Sequence, residues 1–175
     1  MKSVIKAVTV LVIGGTIYSA SQTDIVDNFS KDTGLTQQEA EQYVSEISEE
    51  DLFSFSEIGS DFIEEGQELV GFAAEIDCDN YYYEWETSTL TCEQGKYQIK
   101  KFGNSEIILG RAYKVLDTED ASEEDIRWVI KNIDKLNKDF ELEIISSVLD
   151  PPTIVDLKKT NSYNKALLTA ALDSK

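Results

Sequence analysis

Histidine is absent from this chain of 175 residues. Because histidine is the commonest general base, proton shuttle and metal ligand, its absence excludes Ser-His-Asp, Cys-His and His-ligated zinc chemistry. Only two cysteines are present, and a zinc site built on them would need two carboxylates to complete four ligands, which is a rare combination. The sequence therefore predicts no metal site and no cofactor, and it leaves carboxylate pairs as the available acid and base catalysts.

Basic residues are also scarce. The chain has 16 Lys and Arg against 34 Asp and Glu, which gives a formal net charge of −18. Affinity for duplex nucleic acid comes largely from Lys and Arg that neutralise phosphates, so nucleic acid is not an expected partner. Anionic membrane surfaces are disfavoured for the same reason. The expected partner is a protein, a small molecule or a glycan, and the main effect of the charge is solubility.

The first 21 residues resemble an export signal. Lys2 and Lys6 precede an apolar run over residues 7–13, and the small residues Ser19 and Ser21 occupy the positions that a signal peptidase requires. The run is too short for a membrane-spanning helix, which needs roughly 20 apolar residues. We expect a signal peptide over residues 1–21 that is cleaved after Ser21, a secreted or periplasmic location, and no transmembrane span in the mature form.

Two alternatives remain for this leader. In the first, the leader is an uncut membrane anchor. In the second, residues 8–13 form a buried parallel strand and Gly14-Gly15 begins a nucleotide-binding turn, although the further glycines of such a turn are missing.

The two cysteines, Cys78 and Cys92, are predicted to form a disulfide, because an even number of thiols normally pairs in an oxidising compartment. In the chain-entropy model, closing a loop of this size stabilises the fold by about 3 kcal/mol.

Helices are predicted at both ends of the mature chain. Thr36 and Glu39 match a capping box, and so do Ser122 and Asp125 ahead of a well-patterned apolar stripe. A further helix is expected from residue 48 to Gly66. The pattern over residues 140–148 fits a helix or a strand. Two short helices, over residues 154–159 and 163–172, are expected after a break at residues 150–152.

The middle of the chain is rich in β-branched and aromatic residues, and its apolar residues recur at every second position. This pattern predicts an antiparallel β-meander. Its strands are expected at residues 67–77, 80–86, 88–93, 96–102 and 105–116. The predicted fold is thus a single α+β domain over residues 22–175, with N-terminal helices, the meander, C-terminal helices and a helical segment after Pro152.

The candidate binding residues lie inside the predicted disulfide loop. On a strand, Tyr81, Tyr83 and Trp85 would project from one face, and aromatic side chains with polar groups are typical of binding surfaces. Trp128 is a further candidate because it lies off the apolar stripe of its helix. Packing against the core is the alternative role for all four. The leading hypothesis is an extracytoplasmic, acidic binding module that presents a disulfide-locked aromatic hairpin.

No catalytic residue is assigned, and two alternative functions stay open. A carboxylate-dependent, glycosidase-like hydrolase would use paired acids such as Asp77 with Asp79 or Glu84 with Glu86. A structural subunit of an envelope or surface assembly would instead bury an extended apolar patch against a neighbour.

Overall fold

A computed structural model describes residues 8–13, 15–47, 54–79 and 89–174. Within these residues the fold is mainly helical, with seven helices and two strands. One sheet of two strands occurs in the described part of the chain. The predicted α+β class with a central β-meander is therefore wrong, and the architecture is mainly α.

The two strands form an N-terminal hairpin. β1 (Val8–Ile13) pairs antiparallel with β2 (Thr16–Ser21). The turn includes Gly15 at φ +69°, a left-handed conformation that glycine adopts at little steric cost. The inner face of the hairpin is buried in the protein core through Leu11, Ile13, Tyr18 and Ala20. These strands cover most of the predicted leader, whose cleavage stays a prediction.

Two short helices follow the hairpin. α1 (Gln22–Thr33) begins at Ser21, whose hydroxyl accepts a hydrogen bond from the Asp24 N–H. α2 (Gln37–Glu46) begins with the predicted capping box, which is confirmed by reciprocal hydrogen bonds between Thr36 and Glu39.

Two long helices occupy most of the region that the sequence assigned to the meander. α3 (Phe55–Glu75) continues through Gly66 instead of ending there, so the strand predicted at residues 67–77 is wrong. α4 (Cys92–Leu116) replaces the strands predicted at residues 96–102 and 105–116, and it takes in the end of the one predicted at 88–93. The strand predicted at residues 80–86 lies outside the described residues.

Glycines explain why these two helices form where strands were expected. Gly59 and Gly66 of α3 face Gly110 and Gly103 of α4, so that the antiparallel backbones come into close contact. A Cβ atom added at Gly66 would lie 2.5 Å from the carbonyl oxygen of Gly103, and one at Gly59 would lie 2.5 Å from that of Gly110. The glycines are therefore sites of close helix approach and not helix breakers.

The C-terminal half agrees better with the sequence. α5 (Glu123–Asp139) begins with the predicted capping box at Ser122, and its stripe is buried at Ile126, Val129, Ile133 and Leu136. α6 (Glu143–Val148) resolves the ambiguous segment as a helix. α7 (Pro151–Asp173) is one helix instead of the two short ones expected. It begins at the proline pair because the first turn of a helix needs no N–H donor from those residues.

The helices pack in the order α3, α4, α5, α7, α1 and α2, and β2 lies on α7. Lys165 of α7 joins three of them by pairing with Asp32 of α1 and, at 2.6 Å, with Asp134 of α5. Asp139 of α5 is buried and contacts α4 through Lys101 at 2.7 Å and Ser105 at 2.6 Å.

Candidate functional site

One of the four predicted binding residues, Trp128, lies in the part of the chain that the structure describes. Tyr81, Tyr83 and Trp85 lie outside the described residues, so their predicted role remains untested. Trp128 lies on α5 and is 41% exposed.

The predicted disulfide between Cys78 and Cys92 is present. It joins the segment after α3 to the first residue of α4, and it thereby closes one end of the α3–α4 pair. The Lys96 ammonium donates a hydrogen bond to the Ile76 carbonyl oxygen at 2.7 Å at the same end.

One carboxylate pair of the hydrolase hypothesis, Asp77 with Asp79, does not lie on a strand. Asp77 and Asp79 lie in the turn after α3, where the Asp77 carboxylate accepts a hydrogen bond from the Asp79 N–H. Glu84 and Glu86 lie outside the described residues.

A concave site lies at the opposite end of the α3–α4 pair, and we call it the N-terminal cleft. It has a volume of about 420 Å³ and lies between the hairpin, the end of α2, the start of α3 and the middle of α7. Its apolar walls are formed by Leu11, Val12, Ile47, Phe55, Ile58, Phe62 and Leu167, with the rings of Tyr43 and Tyr163.

Aromatic stacking fixes the walls of the cleft. Phe55 and Phe62 of α3 both stack on the buried ring of Tyr113, with centroid distances of 6.1 and 6.0 Å. On the other side, Tyr43 stacks on the buried ring of Phe29 at 4.8 Å, and Tyr163 meets that ring edge-on. Walls held by layered aromatic rings are preformed, which is typical of small-molecule sites.

A few polar groups line the same cleft: Ser54, Asp117, Thr160 and Asn164. The Asp117 carboxylate accepts a hydrogen bond from the Ser56 N–H and so holds the start of α3. Burial, followed by the nearby Tyr43 hydroxyl, raises the pKa of Tyr163, so that this phenol stays neutral and able to donate a hydrogen bond.

The described lining of the cleft does not provide an acid–base pair. Among the described residues, Asp117 is the one carboxylate in its lining. The described residues also contain no group of three or more Asp, Glu or Cys placed to hold a metal ion. In the same residues, no helix combines the length and the apolar character needed to span a membrane.

No family model, curated protein or solved structure matches this chain. The function therefore has to be inferred from the geometry of the site.

Sequence reasoning missed the N-terminal cleft because its walls come from four separate elements. One local signal was available. Two β-branched runs on either side of Gly14-Gly15 are the usual pattern of a β-hairpin, and this hairpin forms one wall.

Proposed function

We propose that the protein is an acidic binding module and that the N-terminal cleft is its ligand site. The main support for this proposal is that the cleft combines preformed aromatic walls with a few polar groups in a volume of about 420 Å³. This is the usual composition of a site for a small, mostly apolar molecule. Asp117 in the lining and the net charge of −18 favour a ligand that carries a cationic or hydrogen-bond-donating group over an anionic one.

The same observation favours binding over hydrolysis. A glycosidase-like mechanism needs two carboxyl groups on opposite sides of the scissile bond. The described lining of the cleft supplies Asp117 alone, and that carboxylate already accepts a hydrogen bond from the start of α3.

We further propose that the module acts outside the cytoplasm, because the leader has the pattern of an export signal and the two cysteines are paired. Cleavage after Ser21 would remove the hairpin and with it the wall formed by Leu11 and Val12. The walls from α2, α3 and α7 would remain, so the site would become a more open groove. Mass spectrometry of the protein recovered from its native host gives the first residue directly. A product that begins at Gln22 supports export, and an intact cytosolic product contradicts it.

Thr160 provides a test of the ligand site itself. It is exposed on α7 and lines the cleft, so Thr160→Trp should fill part of the cavity without disturbing the core. The neutral apolar dye Nile red is the probe. We expect the wild-type chain to bind it with increased fluorescence and Thr160→Trp to bind at least about tenfold more weakly, because roughly 1.4 kcal/mol of apolar contact is lost.

The matched control is Val155→Trp. Val155 is exposed on the same helix and does not line the cleft, so dye affinity should match that of the wild type. Circular dichroism and urea unfolding establish that both variants are folded. Equal affinity in the wild type and the Thr160→Trp variant would contradict the assignment of the cleft.

A further inference from the structure

A single carboxyl group interrupts the apolar face of α4. Ile99, Phe102, Leu109 and Tyr113 are buried at heptad spacing, and Glu106 occupies the heptad position between Phe102 and Leu109. Glu106 is 6% exposed, and its Oε2 atom has no hydrogen-bond partner. A buried carboxylate without partners is strongly unfavourable, whereas the neutral acid is far less so.

The charged residues described around Glu106 do not stabilise its carboxylate form. On α4, the residues one turn away are Phe102, Gly103, Leu109 and Gly110, none of which is charged. On α3, the nearest ionisable group that acts on it is Glu65, which has the same sign. Burial, and then the charge of Glu65, raises the pKa of Glu106 to about 8.

Two acidic groups of the other neighbouring elements have partners of their own. On α5, Asp139 contacts this part of α4, and it is paired with Lys101 and hydrogen-bonded to Ser105. On α6, Glu143 accepts hydrogen bonds from Thr89 near the start of α4. No described cation is therefore positioned to stabilise a Glu106 carboxylate.

We propose that Glu106 is a proton-sensitive switch of the α3–α4 pair: the neutral acid is compatible with the close apolar contact, and its ionisation loosens that contact. The glycines next to it leave little room for adjustment. Gly103 and Gly66 bring the two backbones into contact one turn away, so hydration of the buried Oε2 atom requires the helices to separate.

Apart from the α-amino group, the composition of the chain leaves few other groups that titrate near neutral pH. There is no histidine, and both cysteines are in the disulfide. Ordinary Asp and Glu finish titrating by about pH 5.5, and Tyr and Lys begin above about pH 9. Glu65, whose pKa is raised by burial and then by Asp61, is shifted in the same direction and adds to the effect of Glu106.

The sign of the effect follows from the direction of the shift. In the folded state Glu106 keeps its proton up to about pH 8, and in the unfolded state it loses it near pH 4.5. Between these values the native state binds more protons, so stability is highest at the acidic end and decreases as the pH rises toward 8.

The disulfide determines which end of the α3–α4 pair loosens when Glu106 ionises. Cys78 and Cys92 hold the C-terminal end of α3 against the start of α4. The opposite end has no covalent link, and there Phe55 and Phe62 of α3 form a wall of the cleft. Loosening is therefore expected in the first half of α3.

The test is urea unfolding of the full-length, oxidised chain at pH 5.5, 6.5, 7.5 and 9. For the wild type we expect the unfolding equilibrium constant to rise up to about tenfold per pH unit between pH 5.5 and 7.5, and to level off by pH 9. Glu106→Gln keeps the shape of the side chain and removes the charge, so most of this dependence should disappear. Glu75→Gln, on the exposed side of α3, is the matched control and should retain the full dependence.

A second measurement applies even if the Glu106→Gln variant does not fold. The carbon-detected NMR titration of the Glu106 carboxyl group in the wild type should have its midpoint near pH 8. A midpoint near 4.5, a flat wild-type profile, or an undiminished pH dependence in Glu106→Gln would each overturn the proposal. Amide hydrogen-exchange protection at pH 9 relative to pH 6 should decrease more at residues 55–65 than at residues 68–75, and the reverse order would refute the assigned end.

Discussion

The α3–α4 contact and the contact among α1, α5 and α7 hold their helices together in opposite ways. In the first, glycines bring two backbones within van der Waals distance, and no ion pair crosses between the two helices among the described residues. In the second, aromatic and aliphatic side chains separate the backbones, and Lys165 pairs with Asp32 and Asp134 across the gap. Close backbone contact tolerates no added volume, whereas the second contact depends on charge.

The same contrast applies to the carboxyl groups in each region. Asp134 and Asp32 have a cation within hydrogen-bonding distance, whereas no described cation pairs with Glu106. A buried carboxyl group without a cationic partner binds a proton more readily than an exposed one. The pH sensitivity of the fold is therefore expected to lie in the glycine-packed pair.

The largest effect in this comparison is expected from Gly66→Ala. The new Cβ atom would lie 2.5 Å from the Gly103 carbonyl oxygen and 2.8 Å from the Ile107 side chain, so the helices must separate. We expect a loss of about 2 to 3 kcal/mol in the free energy of unfolding, as for overpacked cores. Urea unfolding at pH 6, where Glu106 is neutral, measures this loss without the contribution of the carboxyl group.

Gly71→Ala is the matched control on the same helix. Gly71 is exposed, and a Cβ atom there meets nothing within 4 Å. Alanine has the higher helix propensity, so this variant should gain about 0.5 to 1 kcal/mol. The same sign of effect at both glycines would show that close backbone contact does not hold α3 to α4.

The contrast also explains what sequence patterns could and could not predict. The capping boxes at Thr36 and Ser122 depend on residues three positions apart, and the proline break before α7 is equally local. The disulfide prediction needed only the presence of two cysteines and the expectation of an oxidising compartment. Such features were predicted because neighbouring residues decide them.

The α3–α4 pair was predicted incorrectly because a distant partner determines its structure. Glycine within a helix is unfavourable by itself, and it was therefore taken as a break at Gly66. Its role becomes clear only when Gly103 is opposite. The spacing of seven residues from Gly59 to Gly66, repeated from Gly103 to Gly110, was the available signal of a helical face.

The N-terminal cleft and the Glu106 position have the same origin. Neither a cavity between four elements nor the burial of one carboxyl group can be seen from a local pattern. Glu106 is one of 34 acidic residues, and only its place between Phe102 and Leu109 on the buried face of α4 distinguishes it from the solvated ones.

The smallest effect is expected in the charge-linked region, from Lys165→Met. Burial by itself lowers the pKa of Lys165. The hydrogen bonds that its ammonium donates to Asp134 and Asp32 outweigh this and raise the pKa, so the ammonium is charged throughout the pH range used above. Methionine keeps the apolar stem and leaves two partly exposed carboxylates that water can solvate. We therefore expect a loss of about 1 kcal/mol in urea unfolding. Lys158→Met, which removes a 3.7 Å surface pair with Glu141, should cost about 0.5 kcal/mol or less.

The decisive measurement is the pH dependence of stability. Lys165→Met should lower stability equally at pH 5.5 and 7.5 and leave the wild-type slope intact. A reduced slope in Lys165→Met would mean that the charge-linked region contributes to the pH response, and the division between the two regions would not hold.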